Sequence, residues 1–244
     1  MNSIFYIENG DCANCYQCVR VCPASAISIT DFKASIISSR CISCSKCVDV
    51  CPQNLVKFHS HVERCKTIIR KNQTIVASLS PAWVGEFKNM TVNKIVEALK
   101  LLGFTYVSET TLGAEAIINE TFKQVKESKN NINITTSCSV VNNLIVKRYP
   151  DLVDSMINVE TPTVAHARQL KQKLGDDIKI ITIGSCSAGK NESVEYKELI
   201  SASITFNELK EWLKEEKISK RALSGHPSYD LEPIKAREHT EYVV

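Results

Sequence analysis

The sequence lacks the features that would place the protein in a membrane or on a nucleic acid. No apolar run approaches the roughly 18 residues that a membrane-spanning helix needs. The opening segment, MNSIFYIENG, contains no basic region followed by an apolar stretch. Lys and Arg number 30 against 27 Asp and Glu, so the charge gives no reason to expect a nucleic-acid partner. We therefore expect a cytoplasmic protein without membrane contact.

The cysteines, by contrast, are numerous and unevenly spread. Of 11 cysteines, nine lie within the first 65 residues, and eight of these form two tight runs. Cysteine-rich segments of small secreted domains form disulfides, but this sequence carries no secretion signal. Metal binding is therefore the better interpretation of the two runs.

Both runs share the spacing C-x2-C-x2-C-x3-C-P, within the repeated segments DCANCYQCVRVCPASAISI and RCISCSKCVDVCPQNLVKF. This spacing is typical of [4Fe–4S] sites in which the fourth cysteine binds the neighbouring cluster. Structural zinc is the alternative, but zinc has no use for the duplicated spacing. Two [4Fe–4S] clusters are therefore predicted, with cluster 1 held by Cys12, Cys15, Cys18 and Cys51, and cluster 2 by Cys41, Cys44, Cys47 and Cys22.

This first part of the chain resembles the bacterial two-cluster ferredoxins over its whole length. The resemblance implies two cubanes close enough for rapid electron passage between them. It also implies that the clusters carry electrons and that no side chain in this part makes or breaks bonds.

Beyond the two runs, apolar strand-like segments alternate with amphipathic helical patterns. The predicted strands cover 74–80, 104–109, 132–137, 178–184 and 201–205, and the predicted helices cover 91–102, 114–128, 139–148, 161–174 and 206–216. The alternation predicts an α/β fold with a largely parallel sheet. The predicted organisation is an α+β ferredoxin-like domain at 1–61, a linker at 62–73 and an α/β domain at 74–244. Open α/β sheets place their sites where strands end, here at Ser80, Ser137 and Gly184.

Three cysteines lie outside the two runs. Cys138 and Cys186 each follow a predicted strand, where a cysteine is either a ligand or a small buried apolar residue. Cys65 has no such context and is interpreted as structural or incidental. Of the five histidines, His59 and His61 are interpreted as exposed linker residues and His166 as a helix-face residue.

The segments around Cys138 and Cys186 resemble the catalytic domain of the [FeFe] hydrogenases. TTSCSVVNNLIVKRYPDL is similar to the first active-cluster motif of that family, and IGSCSAGKNES is similar to the second. ASLSPAW, SETTLGAEAIINE, TPTVAHARQLKQKLG and ITFNELKEWLKEE extend the resemblance over roughly residues 74–220, closer to the sensory-type branches. The resemblance implies an iron-only hydrogenase fold and an H-cluster, in which a cubane held by four cysteines is bridged to a two-iron unit. Cys138 and Cys186 would be its first two ligands.

The sequence also departs from that family. No cysteine follows Cys186, so two of the four expected H-cluster ligands are missing. Ser137 stands where active enzymes have a proton-relaying cysteine. Gly189 stands where they have a lysine that holds a cyanide ligand, and Lys190 comes one place late. We therefore expect no H-cluster in this chain as given, which is either a fragment continuing beyond Val244 or a degenerate relative.

One further motif suggests a different ligand. GSCSAGK is similar to a phosphate-binding loop, but Asn191 replaces the Ser or Thr that would hold magnesium. The alignment centred on the cysteines explains the same residues together with four other segments, so it is favoured over nucleotide binding.

The sequence thus predicts an iron–sulfur electron-transfer protein with a hydrogenase-like domain and an unidentified redox partner protein. The alternative is the N-terminal part of an [FeFe] hydrogenase, or of a hydrogen or redox sensor. In that case the remaining H-cluster ligands, and a signalling domain for a sensor, lie beyond Val244. Whether the chain is an enzyme stays open.

Overall fold

The computed structural model describes residues 4–8, 10, 12–71, 74–226 and 230. It divides into two compact units, of which the first comprises Met1–His59 and Cys138–Met156, and the second Ser60–Ser137 and Ile157–Val244. Residues 138–156, which the sequence suggested belong to the α/β domain, therefore cluster with the ferredoxin-like part.

The strands and helices near the start of the chain are short, and most of the later helices are longer. The strands are β1 (Phe5–Ile7), β2 (Ile27–Thr30), β3 (Lys33–Ile36), β4 (Val56–Phe58), β5 (Ile75–Leu79), β6 (Tyr106–Glu109), β7 (Lys179–Gly184) and β8 (Ala202–Thr205). The helices are α1 (Gln17–Val21), α2 (Lys46–Asp49), α3 (Val62–Arg70), α4 (Trp83–Glu86), α5 (Val92–Leu101), α6 (Thr111–Glu127), α7 (Ser139–Arg148), α8 (Pro162–Leu174), α9 (Ala188–Glu195) and α10 (Phe206–Glu215). A 3-10 helix spans Pro150–Ser155. No helix among these is long and apolar enough to cross a membrane.

The first unit is built from two similar halves. In each half a cysteine run leads into a short helix, α1 or α2, and then into a strand. β1 pairs with β4, and β2 with β3, both antiparallel. Helix α7 completes the unit, because Val140 and Leu144 pack against the buried side chains of Ala24, Ala26 and Ile42.

The second unit contains a parallel four-stranded sheet in the order β6-β5-β7-β8. Side chains along β5 alternate between its two faces, as a strand requires. Ala77 lies in an apolar core with residues of α5 and α10, whereas Val76 lies in a second core with residues of α8. Helices therefore cover both faces, and the predicted α/β fold with a parallel sheet is confirmed.

One predicted strand is wrong. Residues 132–137 form a single bridge at Ile134, whose carbonyl accepts a hydrogen bond from Ile157 N. The Thr136 hydroxyl donates to the carbonyl oxygens of Ile157 and Val159. Since this segment bonds to 157–159, it is not a strand of the parallel sheet, and Ser137 does not lie at a strand end.

The expected linker at 62–73 contains helix α3. Its Cys65 is completely buried, and Val62, Ile68 and Ile69 pack against the larger core of the second unit. Cys65 is therefore an apolar core residue, in agreement with its structural interpretation.

His166 is buried too, although the sequence suggested a helix-face residue. Its Nδ1 lies 2.8 Å from the Ser78 hydroxyl and its Nε2 lies 3.0 Å from that of Ser108, so α8 is tied to β5 and β6. Burial lowers the pKa of His166 to about 4, which keeps the ring neutral at pH 7.

Candidate metal centres

Two cavities in the first unit are lined by cysteines. One is lined by Cys41, Cys44, Cys47 and Cys22. The other is lined by Cys12, Cys15, Cys18 and Cys51. In each cavity three cysteines come from one run and the fourth comes from the other run, which is the grouping that the crossed prediction requires.

The backbone of the two loops repeats along with the cysteines. Six residues in these loops have left-handed backbone conformations, and they form three pairs, each 29 residues apart: Asn14 with Ser43, Tyr16 with Ser45, and Ser25 with Asn54. A left-handed conformation costs a non-glycine residue on the order of 1 kcal/mol, and such residues cluster at functional sites. The repetition indicates that both loops are shaped for the same purpose.

Backbone N–H groups point at the two fourth cysteines. Ala26 N lies 3.2 Å from Cys22 Sγ, and Leu55 N lies 3.4 Å from Cys51 Sγ, again at equivalent positions of the repeat. Although burial raises the pKa of the Cys51 thiol, hydrogen bonds from backbone N–H groups, including those of Val56 and Leu55, outweigh it and lower the pKa. Such bonds favour a thiolate, which is the form that binds metal.

The other cysteines crowd one another. Burial, followed by the charges of neighbouring thiolates, raises the pKa of Cys47 to about 12. Burial likewise raises the pKa of Cys41, although Lys147 is one of the groups that oppose it. Crowded thiols of this kind hold protons until a metal displaces them.

The chemistry of each cavity fits a [4Fe–4S] cluster. Such a cluster needs four thiolates, N–H groups directed at sulfur and shielding from water. The cluster 2 cavity supplies apolar walls from Phe5, Ile27 and Ile36 in addition to its cysteines. The cluster 1 cavity does the same with Ile7, Ile29 and Val56. The donor set is the predicted one, and ligation by these eight residues remains a prediction.

Helix α7 lies against the cluster 2 loop. Val140 and Leu144 pack against the apolar cluster of Ala24, Ala26 and Ile42, against which Cys22, Cys41 and Cys44 also pack. The Lys147 ammonium donates a hydrogen bond to the Cys41 carbonyl at 2.6 Å. Because the two residues are 106 positions apart, no local sequence pattern indicates this contact.

Cys138 lies at the start of the same helix. It is the N-cap residue of α7, and its side chain is exposed. The sequence predicted it as a ligand or as a buried apolar residue, and its exposure excludes the second option in the structure described. Cys138 thus lies two residues before Val140, which packs against the same apolar cluster as Cys22, Cys41 and Cys44.

Cys186 belongs to the second unit, in the loop between β7 and α9, and is also exposed. A Cβ atom at Gly189 would lie 2.6 Å from Ser203 Oγ, so any larger side chain here, including the lysine that the hydrogenase resemblance leads one to expect, requires the Ser203 hydroxyl to move.

Lys190 cannot take over that role from its present position. Its side chain is completely buried, and Nζ lies 2.9 Å from Glu208 Oε1 and 3.2 Å from the Ser203 carbonyl. Although burial alone raises the pKa of Glu208, the charge and hydrogen bond of Lys190 and the Thr205 N–H lower it. The phosphate-loop interpretation fails for the same reason, because a phosphate cannot reach this ammonium.

The fold and the cavities together define an iron–sulfur protein with a hydrogenase-like α/β unit, and comparison with known proteins identifies the family. Residues 73–239 match the model for the iron only hydrogenase large subunit, C-terminal domain. Residues 11–56 match the model for a 4Fe–4S dicluster domain. The chain therefore belongs to the iron-only hydrogenase family and carries a dicluster domain before the hydrogenase-like part.

Solved structures show the same fold. The chain is similar to apo [FeFe]-hydrogenase HydA1 from Chlamydomonas reinhardtii, with a TM-score of 0.60 and 20% identity over 72% of this chain and 52% of that one. A second variant of the same enzyme gives a TM-score of 0.58 and 19% identity, over 72% and 51%. The chain thus spans about half the length of these enzymes. No curated protein sequence matches it.

Proposed function

We propose that this chain is an electron-transfer protein that relays low-potential electrons through two [4Fe–4S] clusters. The observation that carries the proposal is the pair of cavities, each lined by three cysteines of one run and the fourth cysteine of the other. When bound, the clusters would accept and release single electrons without bond-making by side chains. The protein's own residues hold the sulfurs in place, direct N–H groups at them and exclude water.

Helix α7 supports a direction for this relay. Its apolar residues Val140 and Leu144 pack against the same apolar cluster as three of the cluster 2 cysteines, and Cys138 is its N-cap residue. Electrons would therefore leave from cluster 2 toward the end of α7 that carries Cys138. Cluster 1, whose cavity contains no residue of α7, would face the electron donor.

The experiment is anaerobic reconstitution followed by iron analysis and electron paramagnetic resonance of the dithionite-reduced protein. We expect eight irons per chain and the broadened spectrum of two interacting reduced clusters. The control is Cys65→Ser, which alters a buried cysteine outside both cavities and should leave the iron content unchanged. Four irons or fewer per chain would reject the proposal, and so would two single irons bound without inorganic sulfide.

A second function is favoured by membership of the hydrogenase family and by the exposure of both Cys138 and Cys186. In this alternative the chain is the N-terminal part of an [FeFe] hydrogenase, or of a hydrogen or redox sensor, and these cysteines are partial ligands of an H-cluster. The residues present supply two cysteines of the four, so no step of hydrogen chemistry follows from them.

The two functions differ in the behaviour of Cys138→Ser. If the chain is an electron carrier, Cys138→Ser keeps eight irons and is reduced like the wild type. Neither the wild type nor the variant then oxidises hydrogen. If the hydrogenase interpretation is correct, the native protein contains more than eight irons, and the variant loses the excess.

A further inference from the structure

The two halves of the first unit differ in the charge beside their clusters. In the first half the Arg20 guanidinium donates to the Cys15 carbonyl at 2.8 Å. Arg20 belongs to α1, so this cation comes from the cysteine run itself. It places a permanent positive charge next to a cluster 1 loop.

The second half lacks a counterpart of Arg20. The position 29 residues later, which is the spacing of the repeat, holds Asp49. Lys46 lies on the same short helix and lines the cluster 2 cavity, but Asp49 on that helix carries the opposite charge. The run around cluster 2 therefore has no net positive charge on its helix, whereas α1 has one.

Lys147 supplies what the second half lacks. Its ammonium donates to the Cys41 carbonyl at 2.6 Å, and it reaches this position because α7 packs through Val140 and Leu144 against the apolar cluster that Cys41 also contacts. Each cysteine run thus has one cation bonded to a cysteine carbonyl: Arg20 from within the repeat and Lys147 from outside it.

We propose that Lys147 is a positioning residue for cluster 2 that raises its affinity for an electron and anchors α7 to its loop. The inference rests on the proposed function. A [4Fe–4S] cluster with four thiolates becomes more negative on reduction, so a nearby cation stabilises the reduced form. In the step concerned, one electron passes from reduced cluster 1 to oxidised cluster 2, so that cluster 1 is oxidised as cluster 2 is reduced. No bond forms or breaks, and Lys147 keeps its proton.

The test is a redox titration of the reconstituted full-length protein with dithionite, followed by electron paramagnetic resonance. Lys147→Met should make reduction of one cluster less favourable by roughly threefold to tenfold, where tenfold is about 59 mV for a one-electron couple. Lys147→Arg keeps the charge and should restore wild-type behaviour. Because Lys147 is exposed, the difference between Lys147→Met and wild type should shrink in 1 M salt.

Two control variants show whether the effect of Lys147→Met is specific to one reduction step. Arg20→Met should shift the other of the two reduction steps, and Lys173→Met, at the end of α8 in the second unit, should shift neither. An unchanged titration of Lys147→Met, with eight irons present, overturns the role of Lys147 and leaves the electron-relay proposal intact. Equal shifts of both steps also overturn it. A wild-type protein without two clusters overturns the proposed function, and this inference with it.

Discussion

The two units of the molecule are stabilised by different kinds of interaction. The second unit packs large apolar side chains on both faces of its sheet, among them Leu79 and Trp212 on one face and Leu170 and Ile180 on the other. The apolar cluster described in the first unit is formed by Ala24, Ala26 and Ile42, and cysteines occupy the places around it. A unit of this size, below about 80 residues, rarely gains enough stability from its apolar core alone, and natural ones commonly add disulfides or metal. We therefore expect the fold of the first unit to depend on bound clusters and that of the second unit not to depend on them.

Removal of iron should therefore have the largest effect, and only in one unit. Removal of the iron with a chelator under non-denaturing conditions, with a thiol reductant present afterwards to prevent disulfides, should unfold the first unit, because its protonated cysteines no longer converge on metal. Backbone amide exchange should then lose protection across β1 to β4 while the parallel sheet stays protected. Both tryptophans, Trp83 and Trp212, are buried in the second unit, so their fluorescence gives the control transition. If the second unit unfolds together with the first when iron is removed, its fold also depends on the clusters, and the expectation is wrong.

Breaking the buried ion pair should be the largest effect within the second unit. Lys190→Met leaves the Glu208 carboxylate buried beside an apolar side chain, which should lower the free energy of unfolding by about 3–5 kcal/mol. The iron content should not change. The control is Arg168→Met, which breaks a surface pair with Glu160 and should cost less than about 1 kcal/mol. Urea titrations followed by tryptophan fluorescence measure both.

A close helix contact should come next in size. A Cβ atom at Gly113 of α6 would lie 2.0 Å from the Pro162 carbonyl oxygen and 2.7 Å from His166. Gly113→Ala must therefore push α6 away from α8, and we expect a loss of about 2–3 kcal/mol. Gly85→Ala is the matched control, since nothing lies within 4 Å of its added Cβ. That variant should be neutral or slightly stabilising, and equal losses for the two would contradict the packing described.

The smallest effect concerns pH. The folded pKa of His166 is about 4, below its unfolded value, so the unfolded state binds more protons in acid. Stability from this group is complete above about pH 6.5 and falls as the pH drops toward 4, by about 2 kcal/mol between pH 7 and pH 5. In His166→Asn this part of the pH dependence should vanish. Urea unfolding of the wild type and of His166→Asn at pH 7 and pH 5 measures this effect. Loss of the clusters in acid affects both proteins equally and therefore cancels in the comparison.

Local patterns predicted most of the fold. The alternation of β5, β7 and β8 with amphipathic helices could be predicted because it reflects which residues are buried against the sheet. The first three cysteines of each run could be grouped from their spacing because each run folds locally. The strand predicted at 132–137 failed, because β-branched residues also suit an extended segment that bonds elsewhere. The contact of Lys147 with Cys41 and the burial of Lys190 could not be predicted, since both depend on residues distant in sequence.

Four single variants test whether each cluster is held by three cysteines of one run and the fourth cysteine of the other run. Cys51→Ala should give the same reduced spectrum as Cys15→Ala, because both damage cluster 1. Cys22→Ala should match Cys44→Ala, because both damage cluster 2. If Cys51→Ala instead matches Cys44→Ala, each run holds its own cluster, and the crossed arrangement is wrong.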